Sequence, residues 1–200
     1  RISVIKAIQK DTIDQNIYKD VPKTEATPEK ILEFIDSNRE KLIDPEDAAI
    51  LASETGNKAD AAHAEVYAHF ERHLDQENKI DFPRMVQWAC KSLEKDHKEG
   101  GEYSKKFSHI LVDEFQDINF AQKTFIDLIL KGGAVIWAVG DDDQAIYGWR
   151  GSNVDFILNF EENYPDGFQV KQRRDFDQYF VIILANLSVL YVIVEQIMQA

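Results

Sequence analysis

Two polar loops carry the side chains of this sequence best suited to chemistry. The first follows His109-Ile-Leu-Val112 and reads Asp113-Glu114-Phe115-Gln116-Asp117; the second runs Gly140-Asp-Asp-Asp-Gln-Ala-Ile-Tyr-Gly-Trp-Arg-Gly151. A short apolar run that ends in carboxylates is how an α/β protein brings acidic groups to the carboxyl edge of a sheet, where ligands bind. At such an edge Asp113 can hold a hydrated Mg²⁺ on a nucleotide, and Glu114 can take a proton from an attacking water. Neighbouring residues at a strand end point differently, so one can face a metal and the other a water. An isolated Asp-Glu pair is usually just a solvated strand end, so the reading leans on the second loop. There Gln144, Tyr147, Trp149 and Arg150 place an amide, a phenol, an indole and a guanidinium close together. That mixture suits phosphate on one side and unstacked bases on the other.

The elements that must position these loops follow from pattern. Ile110-Leu-Val112 reads as a strand, Asn119 to Leu130 as a helix with Ala121, Phe125, Leu128 and Ile129 inward, and Ala134 to Val139 as a second strand. Strand, helix and strand in so short a span predict a βαβ unit and hence a parallel sheet. Ser152 is placed to cap a further helix carrying Val154, Phe156, Ile157 and Phe160; Asn163 to Gly167 is a turn and Phe168 to Val170 a short strand. Residues 1–100 read as mostly helical. Thr27-Pro28-Glu29 and Asp44-Pro45-Glu46 are helix starts, the second helix ending near Gly56. A third helix spans about Lys58 to Asp75, with Ala62, Val66, Phe70 and Leu74 inward. A fourth begins near Pro83, with Phe82, Met85, Val86, Ala89 and Leu93 on one side. The charged stretch Lys95 to Lys106, with Gly100-Gly101, reads as a connection between the two parts.

Asp113-Glu114-Phe115-Gln116-Asp117 resembles helicase motif II of the UvrD/Rep family of superfamily 1 DNA helicases, and Gly140 to Gly151 resembles motif III of the same family. Asn78-Lys-Ile-Asp-Phe82 is similar to the family's passage just upstream of motif II. The sharp motifs occupy only about residues 107–152, while the looser likeness covers most of the chain. The resemblance implies an α/β fold: a partial RecA-like P-loop NTPase parallel sheet with a mainly α-helical subdomain. Residues 1–100 would be the helical insertion, and residues 101–200 the C-terminal part of the first motor domain, with motifs II, III and a degenerate motif IV.

For individual residues the resemblance implies Asp113 as the Mg²⁺ ligand, through water, Glu114 as general base and Gln144 as the group that senses the γ-phosphate of ATP. Gln116 and Asp117 would orient loops and link the nucleotide to the DNA site, with ordinary loop hydrogen bonding the plain alternative. Tyr147 and Trp149 are the candidates for stacking on single-stranded bases, worth roughly 1–3 kcal/mol per base. Arg150 would pair with a DNA phosphate or with a motif II carboxylate. Gln172-Arg-Arg-Asp175 stands where the family has motif IV, usually Asn-Tyr-Arg-Ser, so Arg174 is the candidate γ-phosphate contact and Arg173 its rival.

Composition narrows the rest. Of 200 residues 44% are hydrophobic, enough for a core, and the net charge of −13 excludes coating nucleic acid by bulk electrostatics. A narrow groove that grips by stacking is still compatible with that charge. Cys90, the single cysteine, forms no internal disulfide and reads as a buried structural thiol; Trp88 and Trp137 read as core residues. The five histidines are scattered without metal spacing. No signal peptide is visible, and the uncharged run Gln178 to Val194 reads as a buried core helix because Asn186 and Ser188 interrupt it. These features point to the cytoplasm and to no membrane.

One departure from the family is large. Gly-x-x-x-x-Gly-Lys-Ser/Thr, which cradles phosphate, occurs nowhere in the sequence. The chain is therefore expected to be a piece of a longer ATP-dependent DNA helicase, inactive alone, with the remaining helicase domains of the same polypeptide as partners. Single-stranded DNA and DNA junctions would be its substrates, 3′ to 5′ its direction, and DNA repair one of its settings. A non-catalytic DNA-binding or partner-docking module with a degenerate motor fold is the rival from another class. The retained Asp113, Glu114 and Gln144 count against it. A helicase–nuclease polypeptide is a third reading.

Overall fold

The computed structural model describes residues 1–11, 15–145, 148, 151–165, 167–174 and 178–184, with strands 168–174 and 178–184 as backbone. The chain divides into two compact units, Arg1–Trp88 and Ala89–Ala200.

The first unit is helical: α1 (Ile2–Asp11), α2 (Pro28–Glu40), α3 (Pro45–Thr55), α4 (Lys58–Gln76) and the start of α5 (Phe82–Lys98). The expected caps set the helix ends. Thr27 accepts from Lys30 N and Asp44 from Asp47 N, each with proline at the first helical position, and Asn57 accepts from Ala59 N and Asp60 N. Gly56 closes α3 in the left-handed region at φ 66°, where a Cβ would be strained. Ile5, Ile8, Ile31, Ile35, Val66, Tyr67, Phe70 and Leu74 form the core, so the inward positions of α4 lie where their spacing put them.

A buried charge network surrounds this core. Arg39 has 0% exposure and pairs with Glu71 and, at 2.8 Å, with Asp81. Its guanidinium lies 5.6 Å from the Tyr67 ring centre and 5.3 Å from that of Phe70. Arg84, also buried, meets Glu71 Oε2 at 2.6 Å, pairs with Asp75 and stacks on Trp88 at 4.4 Å. Arg1 joins Asp36 and Asp81. These pairs decide how α5 is turned. Arg84 and Gln87 take its buried side at the start, so Phe82 (84% exposed) and Met85 face outward against the spacing, as does Trp88, while Val86 and Ala89 are half-buried and Leu93 is buried as expected. Trp88 is therefore not a core residue, and Trp137 is only partly buried.

The second unit holds a four-stranded sheet of β1 (His109–Val112), β2 (Val135–Gly140), β3 (Phe168–Arg174) and β4 (Gln178–Leu184), in the order β1-β2-β4-β3. The expected βαβ unit is present: α6 (Phe120–Leu130) links β1 to β2, which pair in parallel with Ile110 opposite Ile136 and Val112 opposite Ala138. β4 joins antiparallel to both β2 and β3, so the complete sheet is mixed. The run beginning at Gln178 is accordingly a strand through Leu184 and not a helix; the remainder of that run lies outside the described residues. Tyr179 to Ile183 is aromatic and β-branched, which suits a pleated surface better than a helix.

Phe115, Ile118, Ile126, Ile136, Ala138, Ile157 and Phe160 pack on one side of the sheet. On the other, Leu111 is 80% exposed and Val135, Trp137 and Val139 are half-buried. Ser152 does not cap the next helix. That segment forms two short pieces, α7 (Asp155–Leu158) and α8 (Phe160–Asn163), with Val154 at the first N-cap and the Asn153 side chain accepting from Asp155 N. The Asn163–Gly167 turn closes as expected, Gly167 N donating to Tyr164 O at 2.8 Å. Gly100 is exposed and Gly101 buried, and the connection is pinned by Asp96, whose carboxylate accepts from Tyr103 N and Ser104 N.

Two outcomes follow from this packing. Glu71→Ala strips a partner from both buried arginines and should cost about 3–5 kcal/mol in urea unfolding, with amide protection of α2 and α4 lost together. Arg39→Met removes the buried charge itself and should cost less; the reverse ranking would contradict the network. Cys90 is buried with its thiol donating to Ala121 O at 3.4 Å, and burial followed by the Glu94 charge pushes it up to about 11. A disulfide reagent at pH 8 should therefore label it only when the protein unfolds, seen as labelling that tracks urea concentration.

Candidate functional site

β1 delivers Asp113 and Glu114 to the rim of the sheet, where both are exposed. Asp113 Oδ1 accepts from Glu114 N at 3.0 Å. Glu114 then sits in the left-handed region at φ 52°, a conformation costing a non-glycine residue about 1–3 kcal/mol. That reversal starts the 3₁₀ turn Phe115–Asp117, in which Phe115 and Gln116 point inward while Glu114 remains outside. Phe115 holds the turn in place by packing edge-on against Phe160, ring centres 5.6 Å apart.

β2 lies beside β1 and ends in Gly140-Asp141. Gln116, 1% exposed, bridges the two strand ends: its Nε2 donates to Glu114 Oε2 at 2.6 Å, and its Oε1 accepts from Asp141 N at 2.9 Å. Gly140 makes room for the bridge, since a Cβ there would stand 2.5 Å from Gln116 Oε1 and 2.8 Å from Ile157 Cδ1. Asp141, 2% exposed, starts the 3₁₀ turn Asp142–Gln144. Its carboxylate accepts from Asp143 N at 3.1 Å and from Gln144 Nε2 at 2.5 Å. Hydrogen bonds thus run without a gap from Glu114 to Gln144. Asp117 Oδ1 is buried with no hydrogen-bond partner among the described residues, and burial, then the charge of Glu114, push its carboxyl above the usual range.

The second loop leaves and returns beside the first. Asp141 hangs on Gln116, while Ser152 bridges to Asn119 and Asn153 N donates to Ile118 O at 3.2 Å. Tyr147, Trp149 and Arg150, between those anchors, lie outside the described residues. Arg174 is the last residue of β3, opposite Gln178. Through β4, Lys171 stands level with Gly140, so the backbone of Arg174 extends roughly 10 Å past that level, on the same rim as Asp113 and Asp141. Its side chain is outside the described set.

The donor set at the rim is carboxylate oxygen, which suits hard cations. No group of three His, Cys, Asp or Glu that could hold a metal occurs among the described residues. A cation here would be held by one or two carboxylates and completed by water and phosphate, which is the habit of Mg²⁺ and not of zinc. The residue that pattern reading missed is Asp141. Its signal was present: an aspartate after a strand-ending glycine, with donors two and three residues on, is an Asx turn.

A family model described as UvrD/REP helicase N-terminal domain matches residues 2–165. Among similar proteins, the ATP-dependent DNA helicase PcrA of Staphylococcus epidermidis is 35% identical over 163 residues, which is 78% of this chain and 22% of the relative. PcrA of Bacillus subtilis is 31% identical over 166 residues, 83% of this chain and 21% of that protein. PcrA of Leuconostoc citreum is 32% identical over 149 residues, with 74% and 20% covered. The chain spans about a fifth of the length of these curated relatives. Among the described residues no helix is long and apolar enough to cross a membrane.

Gly140→Ala should destabilise the second unit by about 1–3 kcal/mol, the usual cost of overpacking, and free the Asp141 amide to exchange. Gly148→Ala, where none of the described residues lies within 4 Å of the added methyl, is the control and should leave the urea midpoint nearly unchanged. Equal midpoints for the two variants would show that Gly140 is not a spacing requirement.

Proposed function

The chain belongs to the UvrD/REP helicase N-terminal domain family, and from that premise we propose that it is part of an ATP-dependent DNA helicase that couples ATP hydrolysis to movement on single-stranded DNA. Asp113 would hold Mg²⁺ at the sheet rim. Glu114 accepts the proton of the attacking water, and Gln144 donates its amide to the terminal phosphate. Bound Mg²⁺–ATP supplies the scissile phosphoanhydride and the neutralisation of its charge. Arg174 adds a cation from the same rim, and Tyr147, Trp149 and Arg150 grip the strand by stacking and pairing with phosphate. Residues 1–100 act as the helical insertion and residues 101–200 as part of the motor. Movement is 3′ to 5′ on strands and junctions, the setting is repair in the cytoplasm, and the partners are the remaining helicase domains.

One observation carries this reading: the Glu114 carboxylate and the Gln144 amide, on two different strand ends, are joined through Gln116 and Asp141. A solvated pair of acids has no need of such a buried connection. Because the sequence contains no phosphate-cradling Gly-x-x-x-x-Gly-Lys-Ser/Thr, the chain alone hydrolyses no ATP.

The test is a transplant. Residues 2–165 replace the matching segment of the Staphylococcus epidermidis relative, and DNA-stimulated ATP turnover is measured. The chimera is expected to turn over ATP, and Glu114→Gln to slow it roughly 10²- to 10⁴-fold. A folded chimera that binds oligonucleotide without turnover would favour a non-catalytic DNA-binding module. Turnover by the 200-residue chain itself, abolished by Glu114→Gln, would overturn the assignment of roles.

A further inference from the structure

We propose that Gln116 and Asp141 are positioning residues that couple the proposed general base to the proposed phosphate sensor, so that Gln144 parks on Asp141 and its departure is transmitted to Glu114. The proposal rests on the functional reading above only for the roles of Glu114 and Gln144. The coupling itself stands on geometry.

Gln116 is almost wholly buried, and both ends of its amide are in use. Its orientation is forced. Turned over, the amide would place its NH₂ against the Asp141 N–H and its oxygen against the Glu114 carboxylate, two like-with-like contacts. Only a side chain that both donates and accepts can span this gap. Glutamate fails at the first contact, and methionine, of similar length, fails at both.

Asp141 is the second half of the device. Its carboxylate is buried and satisfied by two donors, Asp143 N and Gln144 Nε2. Gln144 is exposed, and one of its two amide hydrogens is engaged by Asp141, so turning the amide to give both hydrogens to a phosphate breaks that bond. A buried carboxylate that loses one of two donors is poorly satisfied and tends to shift toward new ones. The backbone N–H of the same residue holds Gln116 Oε1, so a shift of Asp141 pulls on the amide that orients Glu114. The close approach allowed by Gly140 keeps this connection short and leaves no room for a water between its members.

The experiment has two arms. In the chain as it stands, the Gln116 side-chain NH₂ resonances and the exchange of the Asp141 amide are followed by NMR. Gln144→Ala should move the Gln116 side-chain signals although the two residues do not touch, and Gln116→Met should speed Asp141 exchange at least about 10-fold while α6 amides hold. If Gln116→Met fails to fold, Gln116→Glu, which keeps the acceptor for Asp141 N and loses the donor to Glu114, is read instead at the Glu114 carboxyl carbon, whose signal should shift while Asp141 exchange holds. Unmoved Gln116 signals in Gln144→Ala would overturn the coupling.

In the chimera, Gln116→Met should lower kcat by roughly 10- to 100-fold with KM for ATP within about 2-fold, as a group acting through another does. Combined with Gln144→Ala, the effects should fall well short of additive; full additivity would sink the proposal. A chimera with no turnover at all would count against the helicase reading while leaving the NMR arm to judge the relay.

Discussion

Parallel pairing of β1 with β2 is the constraint on which the rest of the second unit depends. Because the two strands run the same way, their carboxyl ends open on the same rim, and a single side chain can reach from one to the other. An antiparallel pair would have sent Asp113 and Asp141 to opposite ends of the sheet. The parallel arrangement needs a crossover, which α6 supplies, and α6 in turn needs a start. Asn119 provides one through a reciprocal cap with Gln122. The same segment receives the returning end of the second loop at Ser152 and Asn153. Pairing, crossover and loop closure therefore converge on residues 116–119.

The first unit is organised by a different force. Its core is apolar, but the angle at which α5 starts is set by ion pairs around Arg39 and Arg84. Such pairs are satisfied only when each member keeps its partners, because isolated charges are far more costly in a protein interior than in water. The result is geometric definition more than gross stability. The two buried arginines, Arg39 of α2 and Arg84 of α5, share Glu71 of α4, so these three helices must arrive together for both to be satisfied.

Much of this was legible in the sequence, for physical reasons that differ from place to place. Helix starts at Thr27, Asp44, Asn57 and Asn119 were readable because capping is local. The rim position of Asp113 and Glu114 was readable because a short apolar run before acids has few other uses in an α/β sheet. The turn of α5 was not, since hydrophobic periodicity assumes that the apolar side goes in, and a buried Arg84 reverses that assumption. β4 was mistaken for a helix because a continuous apolar run lacks a period and its partner strand supplies the deciding information. Gln116 reads as a loop-orienting residue, while the Asx-turn signal at Asp141 marks a local turn and does not announce that its backbone N–H meets Gln116 from another strand end. Of the rim residues, Asp113, Glu114 and Gln144 come together, the backbone of Arg174 shares their edge, and Tyr147, Trp149 and Arg150 fall where the loop is not described.

Leu111 carries a consequence of its own. It stands on the outward side of β1, the terminal strand of the sheet among the described residues, and is 80% exposed. A terminal strand offers a row of unspent backbone donors and acceptors, and a large aliphatic group beside them makes that row adhesive. Proteins ordinarily blunt such a margin with lysine, proline or a covering segment; His109-Ile-Leu-Val112 has none of the first two. At high concentration this chain, taken by itself, thus presents a template for cross-strand self-association along His109-Ile-Leu-Val112.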